Sequence, residues 1–212
     1  GDTGTTEVAQ EALAASGDFT VKEEAEGLVM LKNDDDALPL KNVSKVNLFG
    51  MLTAKQIFMG TGSAGGFNWD EDNFLYLDAA LKEKNITANP DLWDFYAGQE
   101  GNASGTAGSV TDMQGSTHSI IELPMDTEGY DEVLEDAKAY SDTAIVVVGR
   151  AGGEGSDAVM DMTPYEAAGR VGTTKYNVGG DPGKHYLELM DTELALIDHV
   201  KANYKNVIVL VN

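Results

Sequence analysis

Apolar residues follow one another without polar alternation from Ala144 to Val148, and again from Val207 to Val211. An unbroken run of this kind is the pattern of a strand covered on both faces, as in a parallel sheet. A shorter run, Val46 to Gly50, reads as the first strand, residues 86–88 as a short one, and residues 120–124 as an extended segment. Between them the period changes to three and four. Tyr130, Val133, Leu134, Ala137 and Tyr140 mark one face of a helix, and Leu194, Ile197, Val200 and Tyr204 mark another, capped near Asp191. Asp72 can cap a helix reaching Lys84, and Asp91 a short one over 92–97. Near the start, residues 7–15 form a short helix closed by Ser16 and Gly17. A second begins at Thr20, whose partner Glu23 completes a capping box, and buries Ala25, Leu28, Val29 and Leu31. Asn33 and three aspartates end it.

Strand, helix, strand, helix, strand is the order of an α/β domain with a mostly parallel sheet and right-handed crossovers. The expected fold class is a layered α/β sandwich, incomplete at its C-terminal end, since the last apolar strand stops at Asn212. Residues 1–19 are read as a lead and 20–212 as the domain. Two polar, glycine-rich stretches interrupt the pattern. Residues 98–119 end at His118, read as a surface histidine. Residues 158–185 hold Met160, Met162, Tyr165 and Tyr176, which fit packing of the insert onto the domain better than stacking on a sugar.

Composition narrows the classes of function. There are 36 acidic residues against 14 basic, a formal charge of -22. Such a field repels nucleic acid and anionic membranes, and neither is an expected partner. No apolar run is long enough to span a bilayer, and no signal peptide is visible. With no cysteine and three scattered histidines, neither a thiolate site nor a metal-ligand spacing is present. No metal and no cofactor are expected.

The chemistry gathers where the 144–148 run ends. Gly149, Arg150, Ala151, Gly152, Gly153, Glu154, Gly155, Ser156 and Asp157 follow it directly. In open α/β sheets ligands bind at the carboxyl ends of strands. The glycines around Glu154 leave its carboxylate unshielded. A lone carboxylate displayed this way is a candidate for proton transfer; the same loop also fits a surface turn with a solvated charge. A second loop, Gly60 to Gly66, satisfies G-x-G-x-x-G literally but neither follows its strand directly nor opens a helix. It fits a lining of the same cleft better than a nucleotide site.

Several of these pieces resemble one family. Residues 23–33 followed by Leu38-Pro39-Leu40 look like the opening of the second domain of family 3 glycoside hydrolases, the β-glucosidase and β-xylosidase group. The strand at 46–50, the glycine loop at 60–66, the 147–157 stretch, and the helix and strand from Leu189 to Asn212 resemble its later landmarks in order. The resemblance implies an α/β sandwich that packs against a barrel domain of the same enzyme, with a β-linked oligosaccharide or glycoside as substrate. It implies Glu154 as the catalytic acid/base, and Gly62, Ser63, Arg150 and Asp157 at the sugar pocket or orienting the loop. The nucleophile, an aspartate, belongs to the barrel and lies outside this chain. The rivals are a noncatalytic carbohydrate-binding or interaction module and, less well supported, a nucleotide binder using Gly60 to Gly65.

Overall fold

A computed structural model of the chain describes residues 7–58, 74–100, 118–152, 157–169 and 172–212. It divides into two compact units, residues 1–39 and 40–212. In the first, α1 (Glu7–Gly27) is one continuous helix. The break expected at Gly17 is absent: a glycine inside a helix costs only about 1 kcal/mol, less than ending and renucleating the helix. Thr20 is therefore no cap. Its hydroxyl donates to the Ser16 carbonyl one turn back, 2.9 Å away. The helix also ends earlier than expected, so Leu28, Val29 and Leu31 follow it as exposed side chains rather than forming its apolar face. A closed turn comes next, in which the Asn33 amide both donates to and accepts from the backbone of Leu38.

The second unit is built on four parallel strands: β1 (Lys45–Phe49), β2 (Thr87–Ala88), β3 (Thr143–Val148) and β6 (Asn206–Val211), in the order β2-β1-β3-β6. The mostly parallel α/β sheet expected from the sequence is thus the observed fold. Among the described residues five helices accompany it: α2 (Met51–Ala54), α3 (Leu77–Glu83), α4 (Pro90–Gly98), α5 (Tyr130–Tyr140) and α6 (Asp191–Asn203). All six residues of β3 are buried. Ala144, Val146 and Val148 face a core made with Leu92, Tyr96, Tyr130, Leu134, Leu196 and Val200. Val147 points the other way, against Leu52, Ile57, Leu77 and Ile121. Opposite faces covered by different elements are what the unbroken apolar run requires.

The second apolar run behaves differently. In β6, Val209, Leu210 and Val211 are exposed in this chain, whose last residue follows the strand directly. It pairs with β3 alone among the described strands and forms the edge of the sheet. The 158–185 stretch also holds regular structure that was not anticipated, an antiparallel pair of β4 (Tyr165–Gly169) with β5 (Gly172–Tyr176). Tyr176 and Met162 there are buried, and Tyr165 stacks on Tyr176 at 4.8 Å.

One polar side chain sits in the middle of the sheet. Asn47, fully buried in β1, donates to the carbonyls of Ala137 and Ser141 at the end of α5. Its oxygen accepts from Asn89, 2.9 Å away. Asn89 in turn caps α4 through the N–H groups of Asp91 and Leu92, so the cap lies two residues before the expected Asp91 helix start. The network ties β1 to α4 and α5, with both amide N–H groups and the oxygen of Asn47 engaged. Asn47→Leu strands three buried partners at once. It is expected to destabilise the chain by about 2–4 kcal/mol in urea unfolding, whereas an exposed control, Asn203→Ala, stays within about 0.5 kcal/mol.

Candidate functional site at the carboxyl ends of β1 and β3

The strand order reverses between β1 and β3: the chain leaves β1 toward β2 on one side and returns to β3 on the other. At such a switch point the connections diverge and leave a crevice beyond the strands' carboxyl ends. A small cleft lies there, lined by Leu52, Ile57, Glu122, Val147, Gly149 and Glu193 among others. Two glycines let backbones meet at its floor. Gly50 has φ +98°, and a Cβ on it would stand 2.7 Å from the Val147 carbonyl and 3.1 Å from Glu122 Oε2. A Cβ on Gly149 would stand 2.7 Å from the Asn212 carbonyl. No side chain larger than hydrogen fits either place.

Arg150 follows immediately. Its Nε donates to the Tyr186 carbonyl at 2.6 Å, and its terminal nitrogens donate to the carbonyls of Gly149 and Glu188. The same nitrogens make a two-pronged pair with Glu193 on α6, at 2.6 and 2.7 Å. The side chains of Arg150 and Glu193 are 12% and 3% exposed. All five guanidinium N–H groups are thereby spent inside the protein. Arg150 holds the base of the loop, and a sugar hydroxyl would find none of its donors free. Glu193 also accepts the N–H of Met190 at 2.8 Å, which closes the first turn of α6.

Glu122 was not singled out from the sequence, where it is one charge in an extended apolar segment. Its two oxygens accept the N–H groups of Met51 (3.1 Å) and Leu123 (3.0 Å). Burial pushes its carboxyl up to about 7, against the pull of those two N–H groups, and the charge of Glu193 adds to the rise.

His118 corrects another expectation. It is 3% exposed rather than on the surface. Its Nε2 lies 3.0 Å from the Asp157 carbonyl, which can only accept, so Nε2 carries the proton. The ring packs edge-on against Tyr186 at 4.5 Å. A sequence window does not contain that environment, because Tyr186 and Asp157 arrive from other segments. Of the other expected site residues, Asp157 has its side chain exposed and its backbone held by His118. Glu154, Gly62 and Ser63 lie outside the described residues, as does the rest of the Gly60 to Gly66 loop. Among the described residues no group of three acidic or histidine side chains is placed to hold a metal ion.

Residues 28–212 match the profile of the glycosyl hydrolase family 3 C-terminal domain. The chain belongs to glycoside hydrolase family 3. β-Glucosidase A of Butyrivibrio fibrisolvens is 30% identical over 191 residues, covering 88% of this chain and 21% of that protein. β-Glucosidase 3B of Thermotoga neapolitana, solved in complex with glucose, superposes with a TM-score of 0.62 at 25% identity, over 94% of this chain and 24% of the other. A β-glucosidase from Paenibacillus barengoltzii has the same fold, with a TM-score of 0.59 at 23% identity over 87% of this chain and 17% of the other. The chain thus spans about a fifth of the length of these relatives. In this family 3 domain the chain leaves β3 at the switch point, where Val147, Gly149 and Ala151 line the cleft.

The raised pKa of Glu122 has a thermodynamic consequence. An unfolded glutamate releases its proton near 4.5 and folded Glu122 near 7, so between these values the folded state binds more protons. Its contribution to stability is complete below pH 4.5 and is lost as pH rises through 7. Measured by urea unfolding from pH 4 to 8, wild type is expected to lose up to about 3 kcal/mol relative to Glu122→Gln across this interval. Parallel pH profiles for the two would show that the carboxyl is not buried in this way.

Proposed function

We propose that this chain supplies the general acid/base of a retaining β-glucosidase, with Glu154 as that group. The observation that carries the reading is the origin of its loop: the Glu154 segment begins one residue after Arg150, at the carboxyl end of the most buried strand and beside the switch-point cleft. The family and the names of its relatives supply the substrate class, a terminal β-linked glucoside.

The mechanism requires two carboxyl groups about 5–5.5 Å apart. An aspartate of a barrel domain attacks the anomeric carbon as the bond to the leaving oxygen breaks. Glu154 gives its proton to that oxygen, and the leaving alcohol departs neutral. A water molecule then adds to the anomeric carbon, its proton passing to Glu154 as the bond to the aspartate breaks. Sugar and enzyme are released in their starting protonation states. Like-charge repulsion from the aspartate keeps Glu154 protonated at the start. Gly62 and Ser63 line the sugar pocket in this reading. Arg150 serves the loop through its pair with Glu193, and Asp157 closes the loop through its backbone.

Glu154→Ala in the complete enzyme is expected to slow turnover of cellobiose roughly a hundred- to ten-thousand-fold. A dinitrophenyl glucoside, whose leaving group needs no proton, loses much less in bond cleavage, and azide restores part of its turnover. Full activity of the variant on cellobiose would overturn the assignment.

A further inference from the structure

Beyond the acid/base itself, the two ends of its loop are joined through one aromatic residue. Tyr186 donates its hydroxyl hydrogen to the Ala151 carbonyl at 2.9 Å, just before the loop. Its backbone N–H donates to the Val159 carbonyl at 3.0 Å, just after it. Its ring and that of His118 meet edge to face, and His118 Nε2–H donates to the Asp157 carbonyl, also on the far side. Its own carbonyl receives Arg150 Nε. Tyr186 is 3% exposed and His118 3%, so water does not compete for these bonds. His118 is itself fixed by backbone pairing: its carbonyl accepts from Val178, and Ile120 donates to the Val178 carbonyl.

We propose that His118 and Tyr186 form a clasp that sets the separation of Ala151 and Asp157 and so positions the acid/base between them. They are positioning residues, acting through the loop. The part concerning catalysis rests on Glu154 being the acid/base; the part concerning loop geometry does not. Burial alone would make Tyr186 a core side chain, but a core tyrosine needs one partner for its hydroxyl. Here hydroxyl, N–H and ring each reach a different flank of the same seven residues or the histidine that holds them. Placement to within a fraction of an ångström matters for proton transfer.

The test uses the complete enzyme with Tyr186→Phe, His118→Leu and His118→Gln. Phenylalanine keeps the ring, the N–H and the carbonyl and removes one bond. Glutamine returns a side-chain N–H near the position of Nε2, and leucine does not. Two readouts separate the two parts. Hydrogen exchange of the 151–159 backbone is expected to quicken about three- to ten-fold in Tyr186→Phe and His118→Leu, and to return toward wild type in His118→Gln. In the same two variants kcat/KM on cellobiose is expected to fall about three- to ten-fold while kcat/KM on a dinitrophenyl glucoside, which reports bond cleavage with a leaving group that needs no proton, holds. Unchanged exchange in both variants overturns the clasp. Quickened exchange with equal losses of kcat/KM on both substrates overturns its positioning role. Should Glu154→Ala, run alongside, show no dependence on leaving group, the acid/base reading fails and the catalytic part with it, while the exchange result still decides the clasp.

Discussion

The pair between Arg150 and Glu193 fixes how the sheet meets the segment beyond it. Arg150 leaves the carboxyl end of β3, and Glu193 lies in the first turn of α6. Burying such a pair removes two charges from water, a cost of several kcal/mol per ion that the attraction repays only when every donor is satisfied. Here every donor is. A pair of aliphatic side chains of similar volume would be as stable, yet would leave the backbone free to slide. The guanidinium fork accepts one orientation, and three carbonyls, of Gly149, Tyr186 and Glu188, are drawn into it. What the pair contributes is direction, at the point where the chain turns from the sheet into its glycine-rich loop.

The floor of the cleft is shaped by what is missing. Gly50 and Gly149 lie at the ends of the two strands that flank the switch point, and each meets another backbone at a distance a Cβ forbids. Glu122 fills the remaining space and takes the free N–H of Met51 at the start of α2. A carboxylate suits that N–H, but its burial next to Glu193 opposes the charge. These two effects act on the same group with opposite sign. Burial wins, and the carboxyl is held near its midpoint at neutral pH instead of deep in the ionised range.

The sequence made legible those parts of the fold whose environment is set by local period. The unbroken run of β3 and the three-four spacing of α5 name their own surroundings, because each is covered by neighbours in sheet and core; in α6 the buried positions are Glu193, Leu196 and Val200, and Leu194, expected on the buried side, is exposed. The run in β6 has nearly the same composition, but its exposure depends on which elements flank it in space, and among the described strands it pairs with β3 alone. His118 and Glu122 were misread or missed for a related reason. A polar residue in a polar window reads as exposed, and a charge in a short extended segment reads as solvated. Their burial is produced by Tyr186, Asp157, Met51 and Glu193, all brought in from distant segments. The N-terminal helix shows the opposite error. A capping box at Thr20 is a local signal, and the continuing helical backbone overrode it.

The same arrangement bears on how a general acid could work beside an arginine. A free guanidinium close to Glu154 would favour the carboxylate and lower its pKa, which is the wrong direction for an acid active near neutrality. Pairing changes that field. With Glu193 joined to it through both oxygens, Arg150 presents a compact dipole rather than a unit charge, and the potential of a dipole falls off faster with distance. The arginine can then anchor the base of the loop without discharging the proposed acid. In the proposed enzyme the pKa of Glu154 is left to the barrel's aspartate, the one partner whose charge changes during the reaction. When that aspartate becomes an ester to the sugar its repulsion ends, and Glu154 becomes a carboxylate ready to take a proton from water. A charge that stayed constant, such as an unpaired arginine, would blunt that change of role; a neutralised one leaves it intact.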